Sequence, residues 1–387
     1  MYPQLAKICL NPNYSLVFMI KKRCSLRNLA SIIIAHFLVL GIVTIAACGG
    51  AQKNSDKLLD QDEPKSEELS KILRKTEKMP YLKSLIILKN GELIVEEYMN
   101  GGSPHQFYDI RSASKSILSA VLGIAIRSGY IESLDQKVID FFPEYNTKEL
   151  DPRVYDLRIR HLITMKSGFK IKETGKVYQQ LYKSKDWIEH ILHLPFKSNP
   201  GKQFNYHSFN THLLSATITK ATGMSTLEYA TQVLFTPLGI TKVFWEKDPN
   251  GYYIGGWGLS LKAQDMAKFG MLYINDGFFQ GTQVVPSEWV KLSTIERSGM
   301  IGTYYSGWNK TYGYGYLWWV KRLDNKIDIP FAMGHGGQRI AIMPNVNAVM
   351  VTQAEPNPKP PSSSFKRHRA IDSLLFEKFA YFLLNGS

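Results

Sequence analysis

The sequence predicts a mixed α/β (α+β) fold: an antiparallel sheet built from both chain ends, flanked by helices, with a mostly helical inserted subdomain. Three observations predict it. Strand-like runs lie near the two ends of the region that follows residue 65, and helical stretches fill the middle. The segment Ile117 to Ile126 is apolar on every helical face, which marks a helix buried in a large core. A chain of 387 residues at 44% hydrophobic is long enough to build that core.

The first 47 residues read as a separate device. Lys21, Lys22, Arg23 and Arg27 precede an apolar run from Leu29 to Ala47, which closes on Ile45-Ala46-Ala47-Cys48. A basic stretch, an apolar stretch and small residues before a cysteine predict an export signal, and the ending resembles a bacterial lipobox. Residues 1–47 are therefore expected to be a lipoprotein-type signal peptide, with Cys48 lipidated and the protein membrane-anchored in the cell envelope, facing outside the cytoplasm. The alternative is an uncleaved anchor, because the run approaches the length of a membrane span. Met19 opens a compact basic region and is a second candidate start beside Met1. The cysteines are Cys9, Cys24 and Cys48, so nothing downstream can form a disulfide, a thiol nucleophile or a cysteine metal site. Of the formal charge of +14, five positive charges belong to residues 1–47. A basic balance suggests nucleic acid, but an exported chain is expected to bind none, and the cluster Lys366-Arg367-His368-Arg369 reads as a solvated face.

Residues 48–65 are polar without hydrophobic period and read as a tether; residues 66–387 form the domain. Ser66 to Lys78 predicts a first helix. Ser84–Leu88 and Glu92–Tyr98 predict strands, and Asn90-Gly91 between them predicts a tight hairpin. The buried helix follows, ended by Gly129. Helical stretches come next at Val138–Phe142, His161–Met165, Ser184–Leu192, Thr211–Thr222, Ala263–Asn275 and Ser287–Ser293. Strand character returns at Gly315–Val320, Phe331–Met343 and Ala348–Thr352, before a closing amphipathic helix from Ala370 to Leu384. The aromatic stretch Trp308 to Trp319 alternates with glycine and reads as a strand packing one face, with the option of lining a pocket. There is no internal repeat.

Chemistry concentrates at Ser112-Ala113-Ser114-Lys115. Ser112 and Lys115, three apart at the head of the buried helix, share one face beside free backbone N–H groups. A serine needs a neighbouring base to become a nucleophile, and a shielded lysine supplies one. Ser-x-x-Lys recurs at Ser167 and Ser363, but Gly168 follows the former and a Pro/Ser-rich stretch surrounds the latter, so only Ser112 is expected to open a buried helix. Two further stretches stand out: Phe204-Asn205-Tyr206-His207-Ser208 ahead of a helix, and Met333-Gly334-His335-Gly336-Gly337-Gln338 at the front of an apolar strand.

Ser-x-x-Lys, then Tyr-x-Ser, then His-x-Gly, in that order and widely spaced, resembles the serine β-lactamase and penicillin-binding-protein superfamily, in its class C-like branch. That branch holds cephalosporinases, D-alanyl-D-alanine carboxypeptidases, family VIII-type esterases and 6-aminohexanoate-dimer hydrolases. Arg158 to Thr164 with Ser167-Gly168, Asn199-Pro200-Gly201, and Gly255 to Leu259 running into Asp265 to Gly270 support the likeness, which spans about residues 80–385. It implies the β-lactamase/transpeptidase-like fold. It implies Ser112 as the acylated nucleophile, Lys115 as the group that accepts its proton or holds the local field, and Tyr206 as the relay to the leaving group. A phenol with a free pKa of about 10 needs nearby cations for that work. The resemblance further implies an oxyanion hole of the Ser112 and Gln338 backbone N–H groups, with Gly336 and Gly337 letting a substrate carbonyl approach.

Two departures point away from penicillins. His335 stands where many members have lysine, and a histidine largely neutral at pH 7 captures a carboxylate more weakly. Ser208 stands where class C enzymes have asparagine, and a hydroxyl lacks the amide pair that grips an acylamino side chain. Arg339 is a candidate replacement for the missing charge. The expectation is an exported, membrane-tethered serine hydrolase acting on a small ester or amide, without metal or cofactor. A D,D-carboxypeptidase, penicillin-binding protein or β-lactamase is the alternative enzyme, and a non-catalytic envelope ligand-binding protein the alternative class. The sequence sets no oligomeric state.

Overall fold

The computed structural model describes residues 63–172, 174–299, 312–324, 326–357, 359–360 and 363–385. The predicted signal peptide, Cys48 and all but the last three residues of the tether lie outside the described residues. The chain divides into two units, Met1–Glu63 and Pro64–Ser387, and the second carries the sheet and its helices.

The strands are β1 (Leu82–Lys89), β2 (Glu92–Tyr98), β3 (Tyr108–Asp109), β4 (Phe244–Trp245), β5 (Leu259–Leu261), β6 (Phe278–Phe279), β7 (Thr282–Gln283), β8 (Tyr312–Tyr314), β9 (Trp319–Leu323), β10 (Ile327–Gly334), β11 (Gln338–Met343) and β12 (Ala348–Ala354). Among the described residues seven of them form one sheet, in the order β2-β1-β12-β11-β10-β9-β8, with every neighbouring pair antiparallel. The sheet is thus built from both chain ends, as the pattern predicts. The β1–β2 turn falls on Asn90 and Gly91, at φ 54° and 81°, a conformation asparagine and glycine tolerate best.

The helices are α1 (Glu63–Leu73), α2 (Ser114–Arg127), α3 (Ile159–Ile163), α4 (Gly175–Lys183), α5 (Trp187–Leu192), α6 (Ser208–Thr222), α7 (Thr226–Ala230), α8 (Ala263–Ile274), α9 (Ser287–Thr294), α10 (Ser364–Asp372) and α11 (Ala380–Asn385). None of the described helices is long and apolar enough to cross a membrane. As its apolar surface requires, α2 is buried from Ser114 through Ala125. The sheet has a helical layer on each face. Gly270 of α8 lies so close to Val349 and Ile340 that a Cβ there would meet the Val349 methyl at 2.4 Å. Arg339, next along β11, points to the opposite face and pairs with Asp372 of α10, following the two-residue alternation of a strand. With both faces covered, β11 and β12 are buried at every position.

Three expectations change. The predicted strand Phe331–Met343 is the hairpin β10–β11, turning through His335-Gly336-Gly337 with the glycines at φ 87° and 121°. The closing helix starts at Ser364 instead of Ala370, with Ser363 at its head; only Ser364, His368, Ile371 and Asp372 of α10 are buried, so Ser363 does not open a buried helix. The basic cluster on α10 divides: Lys366 and Arg369 are exposed, but His368 is buried.

A pH-sensitive contact sits at the head of α3. The His161 Nδ1 accepts the backbone N–H of Arg158 at 3.1 Å, closing a capping box. Burial, and then the charges of Arg160 and Arg158, lower the His161 pKa from 6.5 to about 4. The unfolded chain therefore binds more protons across that window, and stability should fall as pH drops from 6.5 to about 4. Discounted for the partial exposure of the ring, the loss is of order 1–2 kcal/mol. Urea midpoints taken at about pH 7 and about pH 4.5 should show this decline, and His161→Gln, which keeps a capping acceptor without titrating, should flatten it. An unchanged decline in the variant would show that other groups carry it.

Candidate active site

The site forms where three parts of the chain meet under the end of β10. The first is the turn before α2. Ser112 lies in the 3-10 turn Arg111–Ala113, which runs directly into α2 and so places Lys115 one turn on. The second is the head of α6, where Ser208 is the first helical residue and Tyr206 lies two before it. The third is the segment Gly255-Gly256-Trp257-Gly258, leading into β5.

Lys115 joins these parts. Its side chain is 1% exposed, and Nζ donates to Ser112 Oγ at 2.9 Å, Ser208 Oγ at 3.0 Å and the Gly256 carbonyl at 2.8 Å. The same Nζ lies 5.1 Å from the centroid of the Tyr206 ring. Gly256 must be glycine for this approach, since a Cβ there would meet the Ser208 Cβ at 2.6 Å. Tyr206 is buried, with its ring centroid 5.9 Å from that of Tyr314 and 5.3 Å from that of Trp319. The described part of the predicted aromatic stretch therefore supports the tyrosine from behind.

These groups open on a cavity of about 420 Å³, lined by Ser112, Tyr206 and Ser208 on one side and by Met333 and His335 from the β10 end. Tyr178, Tyr182 and Trp257 complete an aromatic wall, with Tyr178 and Trp257 edge to face at 5.2 Å. Sequence reading missed these three. Tyr178 and Tyr182 are four apart on α4, a spacing that puts both on one face, and that pairing was the available signal. Arg111 stands at the cavity with its φ at 53°.

Ser112, Lys115, Tyr206, Ser208 and His335 are thus brought together. Gln338, Gly336 and Gly337 are not among the lining residues. Gln338 begins the returning strand β11, fully buried, with its side-chain amide donating to the Ala354 carbonyl at 2.6 Å. A Cβ on Gly336 would meet the Glu355 carbonyl at 2.6 Å, and one on Gly337 the Ile371 side chain at 3.2 Å. The hairpin is the physical reason: the chain reverses after residue 334, so it is Gly334 that packs on the turn before the nucleophile. A Cβ on Gly334 would meet the Ile110 carbonyl at 2.0 Å.

Arg339 does not replace the missing lysine. It is fully buried on the far face of the sheet, where Nη2 donates to Asp372 Oδ1 at 2.8 Å and bonds His368 Nδ1 at 2.8 Å. His335 reaches the cavity, with Nδ1 3.2 Å from Ser364 Oγ. Desolvation by the surrounding walls, then the charges of Arg111 and Arg367, hold its imidazole below the ordinary 6.5 and so neutral near neutral pH. Among the described residues no group of three or more His, Cys, Asp or Glu could hold a metal ion.

A hydroxyl hydrogen-bonded to a buried amine, with a phenol beside the amine and a helix N-terminus beneath, is equipped for acyl transfer to serine. Comparison with known proteins gives the family and the fold. The sequence profile of the family described as Beta-lactamase matches residues 83–372. A 6-aminohexanoate-dimer hydrolase of Paenarthrobacter ureafaciens is 24% identical over 287 residues, covering 69% of this chain and 71% of the relative. Among solved structures, an octameric penicillin-binding protein homologue from Pyrococcus abyssi superposes with a TM-score of 0.60 at 19% identity, covering 81% of this chain and 77% of that one. EstCE1, a hydrolase with promiscuous acyltransferase activity, superposes with a TM-score of 0.63 at 12% identity, covering 80% and 99%. At such identities the structural likenesses speak for the fold.

Proposed function

Since the chain belongs to the beta-lactamase family, we propose that it is a serine hydrolase that cleaves a small ester or amide through an acyl-Ser112 intermediate. The observation that carries this reading is the 2.9 Å contact between Ser112 Oγ and Lys115 Nζ at the edge of a lined cavity. In the neutral amine form Lys115 takes the Ser112 proton as Oγ attacks the substrate carbonyl. The tetrahedral oxyanion is met by the Ser112 N–H and by a second backbone donor from the β10–β11 hairpin, for which the Gln338 N–H is the candidate. Tyr206 passes the proton to the leaving group, the acyl-enzyme forms, and water attacks by the reverse relay to free the acid and Ser112.

The cavity favours simple esters and amides. Its neutral His335 and the short Ser208 hydroxyl, already engaged with Lys115, offer little to the carboxylate and acylamino groups of a penicillin. Tyr178, Tyr182 and Trp257 offer an apolar wall for the acyl or leaving group. The basic and apolar segment from Lys21 to Cys48 supports a lipid-anchored enzyme of the cell envelope.

The test is intact-mass analysis after parallel exposure to an activated short-chain ester, a fluorophosphonate and a penicillin. The proposal expects an adduct mapped to Ser112 with the first two, absent from Ser112→Ala. Wild-type protein that stays unmodified while a control hydrolase is labelled overturns it. Strong, stable labelling by penicillin alone would move the substrate to the peptidoglycan type.

A further inference from the structure

Asp109 lies three residues before Ser112, on the short strand β3, and is not among the residues lining the cavity. Its Oδ1 accepts the backbone N–H of Arg111 at 2.7 Å and that of Gly258 at 3.2 Å. Its Oδ2 lies 3.2 Å from Nε of Arg111. The first bond closes a tight turn in which Arg111 is held at φ 53°, a left-handed conformation that a side-chain-bearing residue keeps only when its surroundings enforce it. The conformation of residue 111 sets where the next peptide points, and that peptide carries the Ser112 N–H. The second bond reaches the segment whose Gly256 carbonyl receives Lys115 Nζ at 2.8 Å. One carboxylate oxygen therefore ties the nucleophile's turn to the strand segment that holds its base. The pairing of β3 with β5 anchors the carboxylate from behind, with Ile110 N–H donating to the Leu259 carbonyl at 2.9 Å.

We propose that Asp109 is a positioning residue, which fixes the left-handed turn at Arg111 and so aims Ser112 relative to Lys115. It acts through Arg111 and Gly258 without touching substrate. This rests on the acyl-serine reading above. Burial raises the Asp109 carboxyl pKa, with the Arg111 charge and the two backbone donors opposing; the group is engaged by its neighbours more than by solvent.

The experiment compares wild type, Asp109→Ala, Asp109→Asn and the double variant Asp109→Ala/Arg111→Gly, in the full chain, by single-turnover acylation with a nitrophenyl ester, steady-state kcat and KM, and thermal melting. Loss of aim should slow acylation by about 10²-fold in Asp109→Ala, with KM little changed. Asp109→Asn, whose amide oxygen still accepts both N–H groups, should recover most of the rate. The double variant should recover part of it, because glycine adopts the left-handed turn without being held. A purely structural aspartate would not be rescued by glycine two residues away. Acylation of Asp109→Ala at the wild-type rate, or an equal loss in all three variants that follows their melting temperatures, overturns the proposal. If Asp109→Ala does not fold, the Asp109→Asn rate decides, a loss of about 10²-fold there overturning it. Absence of acylation in wild type overturns the hydrolase reading itself, a result distinct from these.

Discussion

Lys115→Met is expected to reduce kcat/KM for an activated ester by about 10³-fold while leaving the protein folded. Methionine fills a similar volume at this buried position, so the core around α2 keeps its packing. What disappears is the nitrogen that lies 2.9 Å from Ser112 Oγ, 3.0 Å from Ser208 Oγ and 2.8 Å from the Gly256 carbonyl. The two hydroxyls can turn to new partners, but the carbonyl is left with less, a loss of about 1–3 kcal/mol. Without a base the serine stays a poor nucleophile, and Tyr206 loses the nitrogen 5.1 Å from its ring centroid. Stopped-flow acylation, read beside a thermal melt, separates the two effects. Acylation within about threefold of wild type would assign Lys115 a packing role instead of a chemical one.

Arg339→Met is expected to destabilise the fold by about 3–5 kcal/mol, more than the loss at Lys115. Arg339 has no solvent exposure, and its guanidinium meets Asp372 Oδ1 through Nε at 2.9 Å and Nη2 at 2.8 Å. Its Nη1 also donates to the carbonyls of Gly334 at 3.2 Å and Gln338 at 3.0 Å. Removing it strands Asp372, whose carboxyl pKa burial already raises and which Arg339 holds in check. Typical domains are stable by about 5–15 kcal/mol, so such a loss should appear as poor soluble yield and a sharply lowered melting temperature. Arg339→Met/Asp372→Leu removes both charges and should recover most of the stability. A single variant that melts with wild type would mean the pair adds nothing. Because Nη1 braces the turn after β10, the double variant should keep its stability yet lose activity, a difference measurable on one preparation.

What the sequence made legible was local. Ser112 and Lys115 are one helical turn apart, Asn90-Gly91 marks a two-residue turn, and the unbroken apolar surface of α2 announces its burial. The wider motifs were legible as a resemblance, and Tyr206, Ser208 and His335 do come to one cavity with Ser112. What stayed hidden depends on which face a residue takes after tertiary packing. The stretch Phe331–Met343 shows no alternation because both faces of the sheet are covered, so its reversal at His335-Gly336-Gly337 left only the glycines as a sign. That reversal puts Gln338 at the start of the returning strand, where its side-chain amide donates to the Ala354 carbonyl, and the alternation of β11 then turns Arg339 to the far layer. Tyr178 and Tyr182 could be paired from their spacing, but nothing in that spacing says their face meets Trp257. Asp109 acts through backbone amides of Arg111 and Gly258, and such bonds leave no residue pattern to read.

The pairing of β1 with β12 has a consequence for how the molecule is made. Ser84 Oγ donates to Gln353 Oε1 at 3.2 Å across 269 positions of chain. The hairpin of β1 and β2 is synthesised early, yet its inner edge has no partner until residue 354 has left the ribosome. Contacts of such long range close slowly, and an unpaired apolar edge invites other chains in the meantime. Nascent chains halted before residue 348 are therefore expected to need a holding chaperone and to collapse into aggregates without one, while the finished polypeptide, able to seat its last strand, folds in one late step.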